Sequence, residues 1–388
     1  MKVQPPQSIP SQVHEEDQIW LTSIWSNLQT KMSAECARIG SRIPYIPVDG
    51  HYEDLGEKDI YWWTNGFWPG MLWQMYRATG EMDYRLTAEK VEERLDAALS
   101  GFTGLHHDVG FMWLHTAVAN YRLTGNPRSK TRGLHAASLL AGRYNPAGQF
   151  LRAWNDDPGQ NRAGWMIIDC LMNVPLLYWA SEETQDPRYR DLAILHTDTV
   201  LQTTLRRDGS SNHITIFDPA DGSLLDHPGG QGFESGSSWS RGQAWALYGM
   251  ALGHRHTHNP DYLDAAKRIA HYFIANVSST GDLPLVDFRA PAEPVVYDTT
   301  AAMCAACGLL EIAEAVPAYE QRIYISAAVR MLRATEQQFV NWNPEQDGIV
   351  GGGTEAYHGG KQEVPIIYGD YFFIEAVLRL LNRGTHLW

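Results

Sequence analysis

The stretch RHTHNPDYLDAA (residues 255–266) decides the fold. A threonine closes an amphipathic run and a polar pair turns the chain. Pro260 then opens the next run, at a position where a helix loses nothing by lacking an N–H. The phrase recurs as RATGEMDYRLTAEK (77–90), RLTGNPRSKTRG (122–133) and EETQDPRYRDLA (182–193), with a fainter echo in EAVPAYEQRIYISAA (314–328). Thr79, Thr124, Thr184 and Thr257 take matching places. Each copy reads as the corner of a helical hairpin, and the irregular spacing as hairpins carrying loops of different length.

Between the corners, apolar residues recur at i, i+3 and i+4 in about twelve segments. They span 13–38, 65–79, 82–99, 107–123, 129–143, 163–182, 187–205, 239–256, 260–276, 297–315, 320–339 and 369–382. Six hairpins can stack as an open α-solenoid or close into an inner and an outer ring. Solenoids show tighter repeats and polar caps, which this chain lacks. The expectation is an all-α fold, an (α/α)6 barrel forming one domain over 1–388, with 1–12 as a loose tail. The longest break, 206–238, holds HITIF and SLLD about a DPADG turn, the pattern of a β-hairpin in the rim loops. A Gly-rich break, DGIVGGGTEAYHGGK (347–361), precedes the last helix. Long loops on one rim of a rigid barrel are the usual place for a binding site.

A net charge of −14 argues against nucleic acid or an anionic membrane as partner, because both need a cationic face. The 14 Trp and 18 Tyr suit stacking on sugar rings but equally fill cores. Cys304 and Cys307 form a CxxC within a helical pattern and no second pair completes a zinc site, so buried thiols are expected. The N-terminus lacks an apolar signal core and no run is long enough to span a bilayer. A soluble cytoplasmic protein, monomeric or weakly dimeric, without metal or organic cofactor, is expected.

Within GWMIIDCLMNVPLLYWA (164–180) one carboxylate, Asp169, interrupts an apolar run. Desolvation there raises its pKa and leaves an acid able to donate a proton near neutral pH; pairing with an arginine, or helix capping, is the structural alternative. Asp108, in LHHDVGFMWLHTA, reads as a helix cap or as a second carboxylate with a divided role. In SSWSRGQAWALYG, a Ser237 or Ser238 cap would put Arg241 and Trp245 on one helical face. A cation beside an indole suits a sugar acid. Trp63 and Trp154, His213 in HITIF, and Gln231 in HPGGQG are further candidates. His254, His256 and His258 do not converge on one face, and no GxSxG elbow occurs.

Taken in order, WTNGFWPG, HHDVGF, RAW, IIDCLMNVPLL, SSWSRGQAW and GDYFFIEAVLRL resemble the unsaturated glucuronyl hydrolases of glycoside hydrolase family 88, from about residue 15 onward. The resemblance implies an (α/α)6 barrel acting on unsaturated uronyl di- or oligosaccharides. Such enzymes hydrate the C4=C5 enol ether left by polysaccharide lyases, so the two-carboxylate geometry of ordinary glycosidases does not apply. It implies Asp169 as the acid and then base, and Asp108 as the second essential carboxylate. Trp63, Trp154, His213, His227, Gly229, Gln231, Arg241 and Trp245 match substrate-site positions. Relatives preferring sulfated substrates carry Ser-x-x-Ser-x-Lys before the last helix and an Arg before the loop glutamine. Here Ala356, Gly359 and Lys361 stand in the first, and Gly230 in the second. Asn65 and Arg152 replace the Asp and Gln common in relatives. Pectin-directed hydrolases and a non-catalytic sugar-binding barrel are the alternatives.

Overall fold

The computed structural model describes Ser8, Ile9, residues 13–384 and 386–388. Of the expected loose tail only Ser8 and Ile9 fall within it, and Ile9 is buried against the core.

The recurring threonines make the corners. Their hydroxyls donate to the carbonyls of Met75, Asn120, Ala180 and Gly253, four residues back, at 2.7–2.8 Å. In three corners the same hydroxyl also accepts the N–H two residues on, from Glu81, Asn126 and Asn259. The next residue is left-handed in all four, at Gly80, Gly125, Gln185 and His258. Asn126, Asp186 and Asn259 then cap helices whose first residue is proline, each accepting the N–H two residues on. Such a cap contributes about 1 kcal/mol.

Among the described residues, six inner helical runs follow in chain order. They are Phe67–Thr79, Val109–Trp113 continuing through Ala119–Thr124, Pro175–Thr184, Ser240–Thr257, Thr299–Ala315 and Ile367–Leu380. Each touches the next, and the last packs on the first, so the ring closes. Five outer helices, Met82–Arg94, Pro127–Ala141, Pro187–Thr203, Pro260–Val277 and Ala318–Phe339, back the inner helices they follow. The sixth, Glu15–Ile39, packs on Ile367–Leu380 and joins the two ends of the chain. The result is the (α/α)6 barrel. Ile367–Leu380 is buried throughout, and its three charged residues, Asp370, Glu375 and Arg379, are all hydrogen-bonded.

Two local expectations are corrected. The segment expected as one helix over 163–182 enters as β3 (Trp165–Ile167), turns through Ile168–Met172, and becomes helical at Pro175. β3 pairs antiparallel with β4 (Ile214–Phe217), and β4 with β5 (Leu224–Asp226), so the expected hairpin gains a third strand. A short β1–β2 ribbon, Tyr144–Asn145 and Phe150–Leu151, precedes it. The four cysteines are buried and unpaired. Among the described residues no helix is long and apolar enough to cross a membrane.

Candidate active site

The β3–β4 pairing builds the centre of the site. Ile167 lies opposite Ile214, and the Ile168 N–H donates to the His213 carbonyl at 3.0 Å. This register holds the His213 ring against Asp169, with Nε2 3.8 Å from Asp169 Oδ1. The Gln231 N–H donates to His213 Nδ1 at 3.0 Å. The neutral ring therefore carries its proton on Nε2, facing the carboxyl. Gly230 makes this possible: its φ is +62°, and a Cβ would lie 2.1 Å from His213 Nδ1. No residue with a side chain could follow this path without displacing the His213 ring.

Asp169 and Asp108 face a cavity of about 600 Å3. The Asp169 side chain is 16% exposed, so substrate can reach it. Its Oδ1, however, is buried without a hydrogen-bond partner. Burial pushes its pKa up to about 7, while Arg241 opposes the rise. Asp108 is 6% exposed. Burial and the neighbouring Asp169 both push it well above the carboxylate range, against a hydrogen bond from Asn173. It occupies the N-cap of the helix at Val109, but its side chain makes no capping hydrogen bond. Its Oδ1 instead accepts from Asn173 Nδ2 at 3.0 Å, and its Oδ2 lies 3.4 Å from both His106 Nδ1 and His107 Nε2. Burial lowers His213 to about 3 and His106 to about 4, so both rings are neutral at pH 7.

Arg241 is fixed from four sides. It donates to Asp298 at 2.7 Å, to Thr300 at 3.3 Å, and to the carbonyls of Thr354 and Glu355. Its guanidinium lies 4.6 Å from the Trp239 ring and 5.4 Å from that of Tyr368. The indole beside the cation is thus Trp239, and the expected Arg241–Trp245 face is corrected. A helical side chain leans toward the N-terminus, so Arg241 reaches back over Trp239. Trp245, one turn deeper, is fully buried between Phe111 and Phe372. The serines do not cap this helix. Trp239 occupies the N-cap, Ser237 Oγ donates to Asp287, and Ser238 Oγ to Gln243.

Of the other expected residues, Trp63, Trp154 and Gln231 line the cavity. Trp63 packs on Tyr368 at 5.0 Å. Gln231 Nε2 donates to the Glu355 carbonyl. His227 stands back from the cavity, its Nδ1 3.3 Å from Thr215 Oγ1 and from the Ile214 carbonyl. Gly229 turns the rim loop, its carbonyl accepting from the Gly232 N–H.

Residues not singled out from the sequence also line the cavity. Tyr45 donates to Glu355. Arg162 lies 5.3 Å from both the Trp154 and Trp165 rings. Asp298 had a usable signal, because it caps the helix at Thr299 while holding Arg241. Tyr45 and Glu355 had none, since they arrive from loops distant in sequence. Among the described residues, two groupings could offer three ligands to a metal ion: His106, His107 and Asp108, or Glu311, Glu314 and His386. In the first, Asp108 is already engaged by Asn173. In the second, Arg255 and Arg379 neutralise the glutamates.

A model of Glycosyl Hydrolase Family 88 matches residues 41–280. The chain belongs to this family. An unsaturated glucuronyl hydrolase from Bacillus sp. strain GL1 is 36% identical over 90% of this chain and 94% of its own length. The structure of a protein of that name from Bacillus sp. GL1 superposes with a TM-score of 0.87, covering 93% of this chain and 96% of the other. An unsaturated chondroitin disaccharide hydrolase from Streptococcus pyogenes is 33% identical over 84% of this chain and 83% of its own. A Streptococcus agalactiae unsaturated glucuronyl hydrolase, an aspartate-to-asparagine variant complexed with dGlcA-GalNAc6S, is 26% identical with a TM-score of 0.82, both chains being fully covered. Family 88 membership accords with a cavity that combines two protonatable carboxyls, a fixed cation and indole walls.

Proposed function

We propose that this family 88 chain releases the 4,5-unsaturated glucuronyl residue from the non-reducing end of lyase-generated oligosaccharides, by hydrating its C4=C5 enol ether. One observation carries the reading: Asp169 remains an acid up to about pH 7 in a cavity that Arg241 also lines. Arg241 pairs with the uronate carboxylate, and Trp239, Trp63 and Tyr368 face the ring. Asp169 donates its proton to C4, and the charge left on C5 is met by water. The Asp169 carboxylate takes a proton from that water. The hemiketal at C5 opens to a ketone, and C1 then expels the partner sugar as an alcohol. Asp108 orients the ring hydroxyls, and His213 turns its Nε2–H toward Asp169 from 3.8 Å. Trp154, Gln231, His227 and Gly229 shape the wall and the rim loop that close around the sugar.

The same reading makes the chain one catalytic domain, a monomer or weak dimer, that works in the cytoplasm without metal or organic cofactor. Four buried, unpaired cysteines accord with a reducing compartment. The Ala356 side chain on the cavity wall offers no hydrogen bond to a sulfate, which supports a leaving sugar that needs none. The test is loss of the conjugated double bond's ultraviolet absorbance with glycosaminoglycan-derived and pectin-derived disaccharides, with and without sulfate. Fastest loss with an unsulfated glucuronyl substrate is expected. No loss with any substrate refutes the activity, and faster loss with the pectin fragment moves it to the pectin-directed class.

A further inference from the structure

Two phrases of the sequence, HHDVGF and IIDCLMN, interlock at a single side chain. Asn173 is fully buried, and its side chain makes three hydrogen bonds. Its Oδ1 accepts from the Phe111 N–H at 2.8 Å, at the start of the helix that follows Asp108. Its Nδ2 donates to Asp108 Oδ1 at 3.0 Å and to the Asp169 carbonyl at 3.3 Å. Gly110 allows the approach, because a Cβ there would lie 2.4 Å from Asn173 Cα. One amide thus ties the backbone of the acid to the carboxyl of its partner. From this geometry we infer that Asn173 is a positioning residue: it fixes the orientation and protonation of Asp108 relative to Asp169.

The physical content is specific. An N–H donor on Oδ1 favours the ionised carboxylate and confines any Asp108 proton to Oδ2, between His106 and His107. It also fixes the separation of Asp108 from the main chain of Asp169. A misplacement of a few tenths of an ångström between such groups affects the transition state more than substrate binding. The inference rests on the hydrolase reading above.

Asn173→Asp tests it, because the variant is isosteric and keeps the acceptor for Phe111 N–H while losing the donor to Asp108. Leaving that buried carboxyl oxygen without its amide donor predicts a fall in kcat of about 10- to 100-fold with KM within about threefold. Removing the donor and adding a carboxyl both oppose ionisation, so the kcat profile moves to higher pH by about one unit. The double variant Asp108→Asn/Asn173→Asp, in which amide and carboxylate trade places, recovers thermal stability but not turnover. A single variant with the wild-type pH profile, or a double variant with wild-type kcat, overturns the inference. If the wild type itself fails to consume any unsaturated disaccharide, the hydrolase reading fails instead, and the stability of the swapped pair still reports on the interlock.

Discussion

Replacing Asp169 with asparagine should abolish turnover and, above neutral pH, stabilise the fold. The folded-state pKa rises from 3.8 to about 7 because burial disfavours the charge. The native state holds its proton more tightly than the unfolded chain, so each pH unit between those values removes stability from the wild type. At 1.36 kcal/mol per unit, the ionised carboxylate costs up to about 4 kcal/mol above pH 7 and about 1.6 kcal/mol at pH 5. Asparagine pays its own burial cost, but that cost is the same at both pH values. The difference in stability between variant and wild type should therefore grow by about 2–3 kcal/mol from pH 5 to pH 8. With unfolding entropies of about 2.1 cal/mol/K per residue, that is about 3 °C in Tm for this chain. Calorimetric unfolding of both proteins at the two pH values reads it, alongside the absorbance assay. A Tm difference that does not change with pH refutes the desolvation argument, and normal turnover by the variant refutes the assigned role.

Other expectations follow from the same geometry. The kcat/KM profile should fall above an apparent pKa near 7, tenfold per pH unit once Asp169 is ionised; rates that stay level to pH 9 would count against Asp169 as the acid. Gly230→Ala places a methyl against His213 Nδ1. Breaking the bond from Gln231 N–H should cost about 10-fold in kcat/KM, and an unchanged value would mean that the His213 orientation is unimportant. Trp245→Phe lies outside the cavity. It should leave KM unchanged while lowering stability by about 1–3 kcal/mol in denaturant titration, and a large rise in KM would restore Trp245 to the substrate wall.

Much of the barrel is legible in the sequence because its corners are local. A threonine, a left-handed residue and a capped proline fall within five positions and need no distant partner. Asp169 is different. Its flanks are apolar but for Asn173, so helical and strand periods fit equally well, and only pairing with Ile214–Phe217 turns Trp165–Ile167 into a strand. Desolvation makes that carboxyl suspicious, whereas its neighbours His213 and Arg241 come together only through the sheet and the closed ring. Trp245 shows the limit of spacing arguments. The i, i+4 relation to Arg241 is real, but side-chain lean and the burial of an inner helix give the cation to Trp239 instead. Asn173, Tyr45 and Glu355 owe their places to contacts between segments far apart, and no local pattern announces them.

In the proposed reaction, chemistry begins with proton transfer to C4 and not with displacement at the anomeric carbon. Turnover of an unsaturated glucuronyl disaccharide in deuterium oxide, followed by NMR from the first minutes, tests it most directly. One deuterium is expected at C4 of the released deoxyuronate, with the ultraviolet absorbance lost in step with release of the partner sugar. Release of that sugar with the double bond intact and no deuterium at C4 would contradict it.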